Sequence, residues 1–321
     1  MRPHDFFPGA EGWVPPSTLE IDSRIKALKE SPESTSGADA AKWLAGQAWH
    51  AWYGRHEVAW LKTLILVDAS LNRTIEWCLQ NDPRGAIALT GDLPRYWFLS
   101  DGYKIGLPFL KRALEGPFEI SRERARAMSG VVDAGLTMNW NMPTDNIQMA
   151  QDTIEMYRCA DDLWGVAHAT WHLGLAYCYA SRPKSTMECY WNALTRFREI
   201  SDPIGQANVL LCIASLPYYE TPLGMAHGPE DLDPLTECLE LFSTIGNDWG
   251  QGVALTMLLS QRRHLSRAQC DVVRTKLLRR ATERRAEWDH AGAKDAERLA
   301  AELENAYTKP ITQDWNTINL N

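Results

Sequence analysis

Tyr157-Arg-Cys-Ala-Asp-Asp-Leu-Trp-Gly165 reads as the end of one helix, an acidic turn and the start of the next helix. Its aromatic residue precedes its glycine by eight positions, and the same spacing returns at Phe197/Gly205 and Phe242/Gly250. Asp162, Asp202 and Asp248 lie in the three intervening turns. The physical need is direct: one helix packs its last aromatic inward and the turn supplies a capping carboxylate. A small residue then opens the next helix where two backbones approach. Successive copies lie 40 and 45 residues apart, and the five extra residues fall in a loop over 216–230. A period of this length marks stacked helix pairs.

Working outward, the chain from about Ala38 to residue 307 is a succession of Ala-, Leu-, Glu- and Arg-rich stretches broken by Gly, Pro, Asp or Asn. Alternating β-branched runs are few, so the chain reads as all-α. Residues 1–38 carry Pro3, Pro8, Pro15, Pro16, Pro32 and the run Ser31-Pro-Glu-Ser-Thr-Ser-Gly37, which predicts an irregular arm. The expected division is therefore an arm over 1–38, a helical-repeat domain over 39–307 and a tail over 308–321.

The 33 Lys and Arg against 41 Asp and Glu give a formal charge of −8, which argues against a nucleic-acid or membrane-surface role for the whole molecule. No run of 18 uncharged apolar residues occurs and Met1–Asp5 leads into no apolar signal core, so a cytoplasmic protein is expected. The seven cysteines show no C-x-x-C pair or zinc-ligand spacing and are expected to be buried free thiols. Fourteen tryptophans are harder to assign to packing alone, because each indole N–H wants a partner.

The segment Asp162-Leu-Trp-Gly-Val-Ala-His-Ala-Thr-Trp-His-Leu-Gly-Leu-Ala-Tyr177, followed by Ala193-Leu194, Phe197–Asp202 and Gly205, resembles the tetratricopeptide (TPR) regions of bacterial LuxR-type and antibiotic-regulatory (SARP) signal-transduction ATPase regulators. Leu71–Trp77 and Phe109–Leu114 resemble the helices that open such arrays, so the resemblance spans about residues 60–260. It implies a TPR-like superhelical solenoid of antiparallel helix pairs and is nearly silent on chemistry. No G-x-x-x-x-G-K-[ST] loop or helix-turn-helix reader accompanies it, so the ATPase and DNA-binding modules of those regulators are not expected here.

In such pairs the first helix lines the groove. With Leu173-Gly174 as the packed pair, His168, Trp171, His172, Leu175, Cys178 and Tyr179 share one helical face. That face is either ordinary packing or an apolar pocket with polar anchors. His168 and His172 have i, i+4 spacing, but no carboxylate completes a metal set, so no metal and no cofactor is expected. Hydrogen bonding or proton transfer to a ligand is the functional alternative.

On the preceding first helix, Asp133 interrupts the apolar run Gly130-Val-Val-Asp-Ala-Gly-Leu136. A buried unpaired acid is costly, which favours a register placing Asp133, Arg126, Ser129 and Trp140 on the groove; an internal ion pair with Arg126 is the competing reading. Asn208, Tyr218 and Tyr219 are expected on the same wall from the next helix, which suits a planar or apolar ligand. Two functions follow. One is a binding or regulatory protein, as a monomer or a homo-oligomer, that holds a protein segment or small apolar or aromatic effector. The other is a cofactor-independent cyclase or isomerase using Asp133, His168 or His172 to move a proton.

Overall fold

The computed structural model describes residues 13–54, 56–138, 143–216, 234–247 and 250–254, with single positions between 257 and 304. The protein is an α-α solenoid of antiparallel helix pairs, with no strand among the described residues. An inner row is formed by α2 (Thr35–Ala51), α4 (Pro83–Gly91), α7 (Arg122–Met138), α9 (Leu163–Tyr179) and α11 (Pro203–Ser215), each touching the next. Behind it stand α3 (Glu57–Asn81), α6 (Tyr103–Leu114), α8 (Pro143–Cys159), α10 (Pro183–Glu199) and α12 (Pro234–Ile245). The short α5 (Pro94–Leu99) links α4 to α6, and α1 (Thr18–Glu30) packs on α2 and α3.

Helix α1 corrects the expectation of an arm that is irregular throughout 1–38. Ser17 caps α1 by accepting from the Glu20 N–H at 3.3 Å, and Ser34 caps α2 by accepting from the Gly37 N–H at 3.1 Å. The Pro- and Ser-rich run is thus the turn between two helices. The Thr74 hydroxyl pins it to α3 by donating to the Pro32 carbonyl at 2.8 Å.

The repeat read from Tyr157–Gly165 is a contact between a ring and a glycine. A Cβ added at Gly250 would lie 2.5 Å from the Phe242 ring, and one at Gly165 or Gly205 would clash still harder with the face of the Tyr157 or Phe197 ring. The turns share a backbone path too: Asp161, Ser201 and Gly246 have φ of 52°, 55° and 71°. The next residue then bonds back to the aromatic carbonyl, Asp162 to Tyr157 at 3.0 Å, Asp202 to Phe197 at 2.9 Å and Asn247 to Phe242 at 3.0 Å. Asp162 and Asp202 cap α9 and α11 as expected. In the third copy the cap is Asn247, whose Oδ1 accepts from the Gly250 N–H at 2.7 Å; Asp248 lies outside the described residues.

Backbones do approach closely between inner helices. A Cβ at Gly91 would lie 2.9 Å from the Glu123 carbonyl oxygen, and one at Gly130 would lie 2.5 Å from Pro94, so α7 sits tight against α4 and the start of α5. The described cysteines are free, but only Cys78 and Cys238 are fully buried and Cys159 is exposed, which corrects the expectation of uniformly buried thiols. Among the described residues no helix is long and apolar enough to cross a membrane.

Candidate functional site

One hydrogen bond ties the far end of the described array back to its beginning. The Asn247 side chain donates from Nδ2 to the Tyr53 carbonyl at 2.9 Å, joining the end of α12 to the turn between α2 and α3. Tyr53 has φ of 64°, and its own N–H donates to Glu57 Oε2 at 2.8 Å. Between the inner helices, with one side open, lies a cavity of about 50 Å³. Its walls are Trp49, Trp52 and Tyr53 from the α2 end, Asp92 and Arg95 from the α4–α5 link, Arg126, Ser129 and Asp133 from α7, Tyr157 from α8, and Trp164 and His168 from α9.

Each guanidinium in the wall already has an acid. Arg95 donates to Glu57 through Nε at 3.1 Å and Nη2 at 3.3 Å, and lies 4.2 Å over the Tyr53 ring. Arg126 reaches Asp92 at 2.7 Å and lies 4.9 Å over Trp49. The competing sequence reading, an ion pair between Asp133 and Arg126, is therefore corrected: the two share a face of α7 two turns apart, but Asp92 takes the guanidinium and Asp133 turns to His172. Burial pushes the Asp92 carboxyl above its usual range, with Arg126 opposing.

Asp133 and His172 form the next layer, with Oδ1 and Nε2 3.1 Å apart. Burial raises the Asp133 carboxyl to about 7, partly offset by Arg95. Its side chain is still 28% exposed because it borders the cavity. His172 is held well below its ordinary value by burial and by His168 beside it, and burial lowers His168 to about 4. Both imidazoles are thus neutral at neutral pH. His168 stacks on Trp164 with centroids 4.7 Å apart and meets His172 at 4.2 Å. Nδ1 of each ring is buried without a hydrogen-bond partner in the protein. Trp164 is fixed from behind, its indole N–H donating to Asp202 at 2.9 Å.

Of the residues singled out in the sequence, the structure brings Asp133, His168, His172, Arg126 and Ser129 together, with Ser129 donating to the Tyr157 hydroxyl at 3.3 Å. Trp171 touches both histidines, but its N–H points away, donating to Cys212 on α11 at 3.3 Å. Leu175 and Tyr179 pack against the core around α8 and α9, and Asn208 is buried on α11. Trp140, Tyr218 and Tyr219 lie outside the described residues. Sequence reasoning missed Trp49, Trp52, Tyr53, Asp92, Arg95 and Trp164. The string Asp92-Leu-Pro-Arg-Tyr-Trp97, with an acid and an arginine flanking a helix-breaking proline, was the available signal.

The class this defines is a helical-repeat protein built of stacked antiparallel helix pairs. No protein-family model matches the sequence and no curated protein sequence matches it. Among solved structures the chain is similar to a Rap protein in complex with Competence and Sporulation Factor, at 10% identity over 93% of this chain and 90% of that one, with a TM-score of 0.46. It is also similar to BtubC (BKLC) of P. vanneervenii, at 12% identity over 95% and 98% of the two chains, with a TM-score of 0.33. The repeat assignment rests on the chain's own helix pairing.

Proposed function

We propose that this is a binding protein that anchors one group of a ligand or partner segment in the central cavity. The supporting observation is the convergence of α2, the α4–α5 link, α7, α8 and α9 on one space that has tryptophan walls and an accessible carboxyl, Asp133. Ligand sites share that makeup, an apolar wall with few placed polar groups. The volume of about 50 Å³ bounds the reading, since enclosing a whole drug-sized molecule takes roughly 300 Å³ or more. A group on a larger ligand fits; an enclosed terpenoid or polyketide does not fit this volume. Tryptophan emission titrated with small amphipathic compounds and partner peptides tests the proposal. A response that Trp49→Phe abolishes and Trp171→Phe retains supports it; a response that depends on neither variant removes the cavity from it.

The cyclase or isomerase reading keeps one observation in its favour. A carboxyl near 7 bonded to a neutral imidazole suits general acid–base work at neutral pH. Turnover that survives Asp133→Asn would remove it.

A further inference from the structure

We infer that the group taken by this cavity is a primary ammonium on an aliphatic stem, with Asp133 as its counter-ion. The inference rests on the binding reading above and adds the chemistry of the ligand. It begins with a charge count. Glu57, Asp92 and Asp133 supply three carboxyls, while Arg95 and Arg126 supply two guanidiniums. Both guanidiniums are engaged, at 3.1 and 2.7 Å. Asp133 is the carboxyl left over, and its hydrogen-bond partner is the neutral ring of His172.

The other titratable groups around Asp133 do not alter the count. Tyr53, Tyr103 and Tyr157 are all raised by burial and stay uncharged, as does His168. One positive charge is therefore missing from a poorly solvated site. In the protein alone a proton supplies it, because burial raises the Asp133 carboxyl to about 7. A cationic ligand displaces that proton. An anion would add an uncompensated negative charge, and a neutral ligand leaves the proton in place.

Size and hydrogen bonding narrow the cation. About 50 Å³ admits an ammonium and the methylene behind it. An ammonium brings donors and no acceptor, and the wall offers it the accessible edge of the Asp133 carboxylate. Such a group occurs both on free alkylamines and on a lysine side chain of a protein partner.

The test is calorimetry on the full chain at pH 6, 7 and 8, in two buffers of different ionisation enthalpy, using propylamine, Nα-acetyl-lysine methylamide, propionamide and propionate. Amine binding should release close to one proton at pH 6, about half at pH 7 and little at pH 8. Asp133→Asn should weaken amine binding at least tenfold, with Asp133→Glu recovering part of it. The proton count on the unaltered protein stands even if Asp133→Asn folds poorly. Tighter binding of the lysine derivative assigns a protein side chain, and equal or tighter binding of propylamine assigns a free amine. Binding of propionamide or propionate in preference to the amines, or amine binding without proton release, overturns the inference and leaves the binding reading standing. Silence from all four probes, with no tryptophan response to any compound or peptide, removes both.

Discussion

Gly205→Ala drives a methyl group into the face of the Phe197 ring, which is fully buried and has nowhere to go. Helix propensity alone favours alanine by about 1 kcal/mol. Against this stands the overpacking cost, roughly 1–3 kcal/mol when a close-packed core must shift. The ring meets the glycine face-on and its backbone is fixed by the turn at Ser201, so the upper half of that range applies and the net loss is about 1–2 kcal/mol. In a chain of this size that is a fall in melting temperature of about 2–4 °C. The control is the same substitution at exposed Gly252, in a helix, where an added Cβ meets nothing within 4 Å. Gly252→Ala should raise the melting temperature by about 2 °C through propensity alone. Combining Gly205→Ala with Phe197→Leu should recover at least about 1 kcal/mol relative to additivity, because the smaller side chain gives way to the methyl. The measurement is a double-mutant cycle by thermal and urea denaturation. If Gly205→Ala proves as benign as Gly252→Ala, the ring-on-glycine explanation of the repeat is wrong.

Other outcomes follow from the site. Asp133 is raised when folded, so the folded chain holds a proton that the unfolded one has lost between about pH 4 and 7, and stability falls as pH rises through that window. Asp133→Asn should flatten this slope, gaining about 1–2 kcal/mol at pH 8 relative to pH 5, seen as a pH series of denaturant midpoints. His168 is depressed, so its contribution runs the other way: stability is lost as pH falls from 6.5 toward 4, and His168→Gln should blunt that loss in the same series. Asn247→Asp keeps the helix cap but cannot donate to Tyr53, and should cost about 1–2 kcal/mol with faster amide exchange near Trp52 and Tyr53. Trp171→Phe removes a donor to a thiol and should cost about 1 kcal/mol or less.

What the sequence made legible was local. Tyr157/Gly165 and its two echoes lie within one turn of chain, so an eight-residue spacing carries the whole contact. His168, His172 and Asp133 stood out because a helix face and an acid in an apolar run are also short-range patterns. Their partners in the site are long-range. Trp49 meets Trp164 edge-on at 5.7 Å from far along the chain, and Arg95 becomes a wall residue only because Glu57 anchors it. No periodicity encodes such meetings, which depend on how much each helix pair rotates against the last. Helix α1 was legible and was obscured: Ser17 and Glu20 form an N-terminal signature, outweighed by the prolines on either side.

The bond from Asn247 to Tyr53 also changes how the molecule should come apart. A linear array of repeats frays from its ends, each unit lost nearly independently of distant ones. Here the first and last described pairs share a hydrogen bond across 194 residues of chain, and Trp49 and Trp164 bridge the middle. Loosening α12 therefore exposes the α2–α3 turn, and loosening that turn frees α12. The two ends are thereby coupled by about 1 kcal/mol, so fraying at one end should weaken the other as it would not in an open rod.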